Sequence, residues 1–248
     1  FQKTGSENRK IDMRISTMSK FFLTMLAVFG TFALCAKGEV KKGDIKKGEV
    51  KKGDIKKGDI KKGETLYNQM CFACHQPKGK GKAGLGPRLN TPDLLFLAND
   101  EFFRKSILEG RPGTGMMSYK NIPAIADSVD DLVAYIRSWE KAYPHYKRTK
   151  VDWKKTIKGD AVAGKKSFRT YCSSCHGPNG GGYADGGSGL AVGLKGFLEV
   201  APDDFIKKTI LQGRAGTGMK PFGPGRAGIA NISEKEIDNI IAYLRSLK

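Results

Sequence analysis

The apolar positions divide the chain into three regimes. From Phe21 to Ala36 they form one sixteen-residue run broken by Thr24, Gly30 and Thr31. From Lys37 to Glu64 there is one aliphatic residue in every five, in units such as Lys41-Lys42-Gly43-Asp44-Ile45. From Thr65 onward apolar residues recur at helical spacing. Leu132, Tyr135, Ile136 and Trp139 form one stripe, and Ile237, Ile240, Ile241 and Leu244 form another. Such stripes predict amphipathic helices with one face in a core. Ser128 with Asp131, and Ser233 with Glu236, read as capping pairs that start these two helices.

The first regime resembles an export signal. Lys20 precedes the apolar run, and the run ends in small residues, so cleavage is expected after Ala36. The first residue is Phe1, and Met13 or Met18 is the expected initiator. The run is shorter than the ~20 residues that span a bilayer. An N-terminus left uncleaved is the alternative and would bring membrane contact. Residues 1–36 are therefore assigned to a signal peptide, and the mature chain to the periplasm. Cys35 follows Leu34 rather than the small residue that a lipid-attachment site requires.

A period of five matches neither a helix nor a strand face. A glycine in every unit costs a helix about 1 kcal/mol relative to alanine. Residues 37–60 are therefore assigned to a disordered linker, with the first globular domain at 61–142. The repeat from Lys37 to Glu64 carries 11 lysines against 6 acids and no aromatic residue to stack on a base, which argues against nucleic acid.

The globular part repeats itself. Gly63 and Gly164 each lie eight residues before a cysteine, and Tyr67 matches Phe168. The stretch Phe102–Arg111 matches Phe205–Arg214, and Gly113-Thr114-Gly115-Met116 matches Gly216-Thr217-Gly218-Met219. The intervening residues 143–157, with Pro144 and several lysines, read as an interdomain linker, leaving 158–248 as the second domain. Halves of this size have marginal polypeptide cores, so a large apolar cofactor at the centre of each is expected.

Two motifs supply that cofactor's chemistry. Cys71-Phe72-Ala73-Cys74-His75 and Cys172-Ser173-Ser174-Cys175-His176 both read C-x-x-C-H, the attachment sequence of a c-type haem. Cysteines three apart share one side of a helical turn and can reach two vinyl groups of one porphyrin. The following histidine reaches the iron. Zinc and dithiol sites also use C-x-x-C, but the adjacent histidine, present twice, points to haem. Four of the five cysteines lie in these motifs.

Two of the three histidines are thereby used, and the third, His145, sits in the interdomain stretch. A second axial ligand must come from another residue type, and methionine is the candidate. Met219 is the sole methionine of the second half. In the first half Met116 and Met117 adjoin, and the internal match selects Met116.

Both halves resemble class I c-type cytochrome domains in tandem, as in diheme cytochromes of bacterial respiratory chains. The resemblance implies an all-α fold of two such domains, each wrapped around one covalently attached haem. It implies iron ligation by His75 with Met116 and by His176 with Met219. It also implies that the Pro87 carbonyl, in Gly86-Pro87-Arg88-Leu89, accepts the ring N–H of His75. The second half has Gly186-Gly187-Ser188-Gly189 near that place and no proline, so the partner of His176 stays open. Nor does either methionine precede a proline directly, as is frequent in the family. Tyr67 with Tyr135, and Phe168 with Tyr243, are the implied aromatic pairs where the terminal helices meet. Arg111 and Arg214 are candidates for pairing with haem propionates, with solvated arginines as the alternative. The glycine-rich run 177–196 lacks the Gly-Lys-Ser/Thr ending of a phosphate loop and reads as a pocket wall.

The implied function is exported electron transfer between redox proteins, such as a quinol-oxidising complex and a terminal oxidase. The alternatives are a redox subunit of an oxidoreductase complex and a diheme enzyme such as a peroxidase. A peroxidase needs an open iron position and further histidines, and the chain has only His145 to offer. The net charge of +19 overstates the surface charge of the folded part, since residues from Thr65 onward carry 28 basic and 17 acidic side chains, a net +11. An acidic docking partner is expected to meet Lys78, Lys80 and Lys82, just after the first motif.

Overall fold

The computed structural model describes residues 58–225 and 228–247. The apolar run, Cys35 and the repeat through Lys57 lie outside the described residues. Among the described residues there is no strand, only an isolated bridge between Lys82 and Gly86. No helix there is long and apolar enough to cross a membrane.

The first half is built from α1 (Ile60–Met70), α2 (Phe72–His75), α3 (Pro92–Leu97), α4 (Asp100–Glu109), α5 (Pro123–Ala126) and α6 (Val129–Ser138). The second half has α7 (Ala161–Tyr171), α8 (Ser173–His176), α9 (Lys195–Leu198), α10 (Asp203–Gln212) and α11 (Glu234–Ser246). In each half the entry helix packs on the closing helix, α1 on α6 and α7 on α11. A β-carbon at Gly63 would fall 1.9 Å from the Asp131 carbonyl oxygen, and one at Gly164 would fall 1.9 Å from that of Asn239. Those glycines let the crossing helices touch backbone to backbone. Tyr67 and Tyr135 meet with ring centroids 5.4 Å apart, and Phe168 and Tyr243 do the same at 5.4 Å.

Where the repeat meets the fold, the expected boundary moves. Asp59 caps α1, its carboxylate accepting from the N–H groups of Lys61 and Lys62. Gly58 lies against the backbone of Asp130. Residues 58–64, read as the tail of a pentad repeat, therefore belong to the folded part. The same pattern, Gly159-Asp160 with Gly164, opens α7. A five-residue period that fits no regular helix face still fits one capped helical start.

The two closing helices start differently. Ser233 and Glu236 form the expected capping box. Ser128 makes no side-chain cap bond. Its expected partner Asp131 is drawn instead to α1, accepting from the Asp59 N–H at 2.8 Å and pairing with Lys62 at 2.9 Å.

A matched arginine ties each closing helix to the segment before it. Arg137 donates to the Leu95 and Ala98 carbonyls and to Asp100, and Arg245 to the Leu198 and Ala201 carbonyls and to Asp203. These two arginines sit in Ala134-Tyr135-Ile136-Arg137-Ser138 and Ala242-Tyr243-Leu244-Arg245-Ser246, the strongest internal match along the closing helices.

The segment 143–157 is an ordered strap. Thr149 N–H donates to the Phe96 carbonyl, Asp152 N–H to Asp204 and Ile157 N–H to Asp203. Trp153 reaches in to pack beside Phe205, with centroids 5.9 Å apart. His145 lies exposed on this strap.

Candidate metal centres

Each C-x-x-C-H motif occupies one turn at the end of an entry helix. The Cys71 N–H bonds to the Tyr67 carbonyl, and the Cys71 carbonyl accepts from the N–H groups of Cys74 and His75 at 3.3 and 2.9 Å. Cys172, Cys175 and His176 repeat the pattern at 3.2 and 2.9 Å. All four thiols are free. Burial, and then the neighbouring thiol, pushes Cys71 up to about 11 and Cys172 up to about 12. These thiols are therefore neutral near pH 7.

Each imidazole is aimed by a main-chain carbonyl. His75 Nδ1 lies 3.0 Å from the Pro87 oxygen, and His176 Nδ1 lies 2.7 Å from the Leu190 oxygen. Leu190 answers the question left open in the second half: the acceptor is a backbone oxygen, so no proline is needed. Burial lowers the pKa of both rings and outweighs the opposing carbonyl. A neutral ring donating from Nδ1 presents a lone pair on Nε2, the state a metal requires.

The walls behind the motifs are glycine. A β-carbon at Gly86 would lie 2.5 Å from the Cys74 carbonyl oxygen, and one at Gly187 would lie 2.3 Å from that of Cys175. Gly189 N–H bonds to the Cys175 carbonyl at 2.6 Å. The glycine-rich run thus braces the attachment turn.

The methionine loops superimpose bond for bond. Arg111 N–H donates to the Met116 carbonyl and Arg214 N–H to the Met219 carbonyl, both at 2.7 Å. Thr114 and Thr217 hydroxyls donate to the carbonyls of those arginines at 2.7 Å and accept from the Met116 and Met219 N–H groups at 3.1 Å. Gly110 and Gly213 enter the loops at φ 66° and 69°, a left-handed turn that a side chain would strain. Met116 and Met219 are half-buried, whereas Met117 is 57 % exposed.

Arg111 and Arg214 are not solvated arginines. Each lies over a phenylalanine ring, Arg111 on Phe102 at 5.8 Å and Arg214 on Phe205 at 5.5 Å. Burial pulls both down to about 10, and they stay charged at neutral pH. Arg214 Nη1 is buried without a hydrogen-bond partner. A buried orphan donor in the methionine loop, together with the C-x-x-C-H turn and its neutral imidazole, fits a haem, whose propionates would accept from the guanidinium.

The comparisons agree with that fit. The sequence model of the family described as "Cytochrome c" matches residues 161–248. That described as "Cytochrome C oxidase, cbb3-type, subunit III" matches residues 58–136. The chain belongs to the c-type cytochromes. It is a diheme class I cytochrome with two covalently bound c-type haems.

The cbb3-type cytochrome c oxidase subunit FixP of Azorhizobium caulinodans is 29 % identical over 188 residues, covering 71 % of this chain and 56 % of that protein. The chain thus spans about half the length of that relative. Cytochrome c4 of Thiocapsa roseopersicina is 27 % identical over 190 residues, covering 74 % of this chain and 90 % of that one. Among solved structures, a chain of the reducing HAO-like protein complex of Kuenenia stuttgartiensis shares the fold, with a TM-score of 0.50, 20 % identity and coverage of 78 % and 99 %.

Proposed function

We propose that this cytochrome is an exported carrier passing single electrons between respiratory redox proteins through two His/Met-ligated haems. Cys71 and Cys74, and Cys172 and Cys175, form the thioethers. His75 with Met116, and His176 with Met219, are the axial ligands. The observation that carries this reading is the duplicated histidine–carbonyl bond, which leaves Nε2 of both rings free for iron, together with two methionine loops of matching hydrogen bonding. When bound, each haem supplies one-electron cycling of its iron. The chain's residues fix the histidine tautomer, brace the attachment turn and shield the site from water.

The proposed donor is a quinol-oxidising complex and the proposed acceptor a terminal oxidase, the latter supported by relatives named as cbb3-type oxidase subunits. A second reading, as a redox subunit held within an oxidase, draws on the relative named for cbb3 oxidase and the matching subunit III model. The match to cytochrome c4 runs over nine tenths of that protein's length, against about half for the oxidase subunit, and so supports a unit of this size standing alone.

The test is direct. Denatured protein should retain two haems per chain by mass, and its spectra should be low-spin with a methionine–iron band. Met116→His and Met219→His should each remove part of that band and lower one potential, since axial ligands set haem potentials over about 0.8 V. One haem per chain, high-spin spectra, or a response to Met117→His in place of Met116→His would overturn the assignment.

A further inference from the structure

The two halves are unequal at two pairs of matched positions. Asp93 and Gly196 each stand two residues before the leucine carbonyl that receives the closing arginine, Leu95 and Leu198. Pro112 and Ala215 likewise match, each following the buried arginine of its methionine loop.

Across the seam these four residues meet crosswise, with different chemistry on each side. Ala215 N–H donates to Asp93 Oδ2 at 2.5 Å. Pro112 has no N–H to satisfy, and its ring lies where a β-carbon at Gly196 would be, 2.6 Å away. A carboxylate thus reaches the second methionine loop from the first half, and none returns the other way. Asp93, Arg214 and Met219 wall one cleft of about 520 Å³. Arg214 binds Thr209 through Nη2 while its Nη1 is buried without a partner, and the Asp93 charge partly offsets its burial. Arg111 has only the Gly110 and Gly196 carbonyls and the Ser106 hydroxyl.

We propose that Asp93, a residue of the first half, holds down the reduction potential of the haem in the second half. The inference rests on the two-haem reading above. A fixed negative charge held beside the second methionine loop favours the oxidised, more positive iron, and the buried Arg214 guanidinium of that loop is already within reach of that charge. Asp93 also sits in the first turn of α3, but six residues make a weak dipole, and that position does not require contact with Ala215. Lys147 and Lys220 line the same cleft, and Arg88 donates to the Gly216 carbonyl at 3.3 Å. All three cations are exposed and unchanged when Asp93 is replaced. The proposal therefore concerns the shift on removing the carboxylate, not the order of the two potentials.

The experiment is a spectroelectrochemical titration of the full chain as parent, Asp93→Asn, Asp93→Ser and Asp93→Glu. Asparagine keeps an oxygen for the Ala215 N–H while losing the charge. The wave that Met219→His lowers should move upward in Asp93→Asn and Asp93→Ser, and glutamate should restore it. The wave assigned by Met116→His should stay in place, and the methionine–iron band should keep its intensity. An unmoved second wave, or an equal shift of both, overturns the proposal. Failure of the two-haem reading would show earlier and differently, as one haem per chain by mass in the parent.

Discussion

Phe102 and Phe205 stack on each other with ring centroids 4.7 Å apart and planes 30° from parallel. They hold matched places in the two halves, so an approximate two-fold relation brings one position onto its own counterpart. Arg111 covers the outer side of one ring and Arg214 that of the other, and Trp153 from the strap closes the edge. The seam between the haem domains is thus an aromatic core with buried guanidinium groups on both flanks.

Phe205→Ala should therefore cost about 3–5 kcal/mol in denaturant unfolding, the range for truncating a buried phenylalanine. Phe205 is 1 % exposed. The double variant with Phe102→Ala should fall short of additivity by about 0.5–1.5 kcal/mol, the worth of an aromatic pair. Both halves should unfold in one transition. A parent protein that melts in two steps, with only the second shifted by Phe205→Ala, would show that the seam does not couple the halves.

The start of α1 gives a second test. Deleting residues 37–57 should leave haem spectra and the thermal midpoint unchanged. Extending the cut through Glu64 removes the Asp59 cap and the Gly63 contact and should lower the midpoint sharply. Asp59→Ala alone should cost roughly 0.5–2 kcal/mol, as loss of a helix cap does. Gly63→Ala should cost about 1–3 kcal/mol or more, because a carbonyl oxygen of α6 stands where the methyl would go and backbone yields poorly. Wild-type stability in the longer deletion would return residues 58–60 to the linker and extend it to Glu64.

The sequence shows why some of this was legible and some not. The entry helices, the attachment turns and the methionine loops are local, and each is written twice, so one copy checks the other. The histidine acceptor of the first half was readable only through the resemblance, whose Gly-Pro step is matched by Gly86-Pro87. Its counterpart Leu190 was not, since any residue has a carbonyl and two extra residues shift the count from 12 to 14. That residues 58–60 belong to the fold was hidden because the cap has the same composition as the repeat before it. Arg88, Asp93 and Trp153 act across the seam, and nothing in their local sequence announces a partner more than 50 residues away. Arg137 and Arg245 did leave a signal, the repeated Ala-Tyr-aliphatic-Arg-Ser, which hydrophobic striping alone passes over.

Acid should act on the strap. Asp204 is buried, accepts the Asp152 N–H at 2.8 Å and pairs with Lys208. Burial alone would raise its pKa, but the Lys208 and Asp152 bonds outweigh it and bring the net value below the usual carboxylate range. With the folded pKa below the unfolded value of about 3.9, the stabilisation is complete above that pH and is lost as pH falls through the folded value. The stability gap between parent and Asp204→Asn should be largest near pH 6 and should shrink progressively below about pH 4. A gap that is constant down to pH 2 would remove Asp204 from the acid response.

The surroundings of the two attachment turns decide how the protein should meet its partners. After the first motif come Lys78, Lys80 and Lys82, all exposed, with Phe72 and Leu85 offering 42 % and 50 % of their surface beside them. The hairpin carrying Leu85 is closed by paired bonds between Lys82 and Gly86, and Gly86 rests on Cys74. That basic, apolar rim therefore borders the first haem site directly. Around the second motif no lysine or arginine occurs between Arg169 and Lys195, and Asp185 is the only charged side chain in that interval. An acidic redox partner should then dock at the first site, with an association rate that falls as salt rises, because attraction between surface charges is screened over about 8–10 Å at physiological ionic strength. Replacing Lys78, Lys80 and Lys82 by glutamate should lower the second-order rate with an acidic acceptor and flatten or invert its salt dependence. The same reversal at Lys165, Lys166 and Arg169 before the second motif should change it less. Stopped-flow measurement against ionic strength checks both, and a parent rate independent of salt would point instead to a subunit permanently docked on its oxidase.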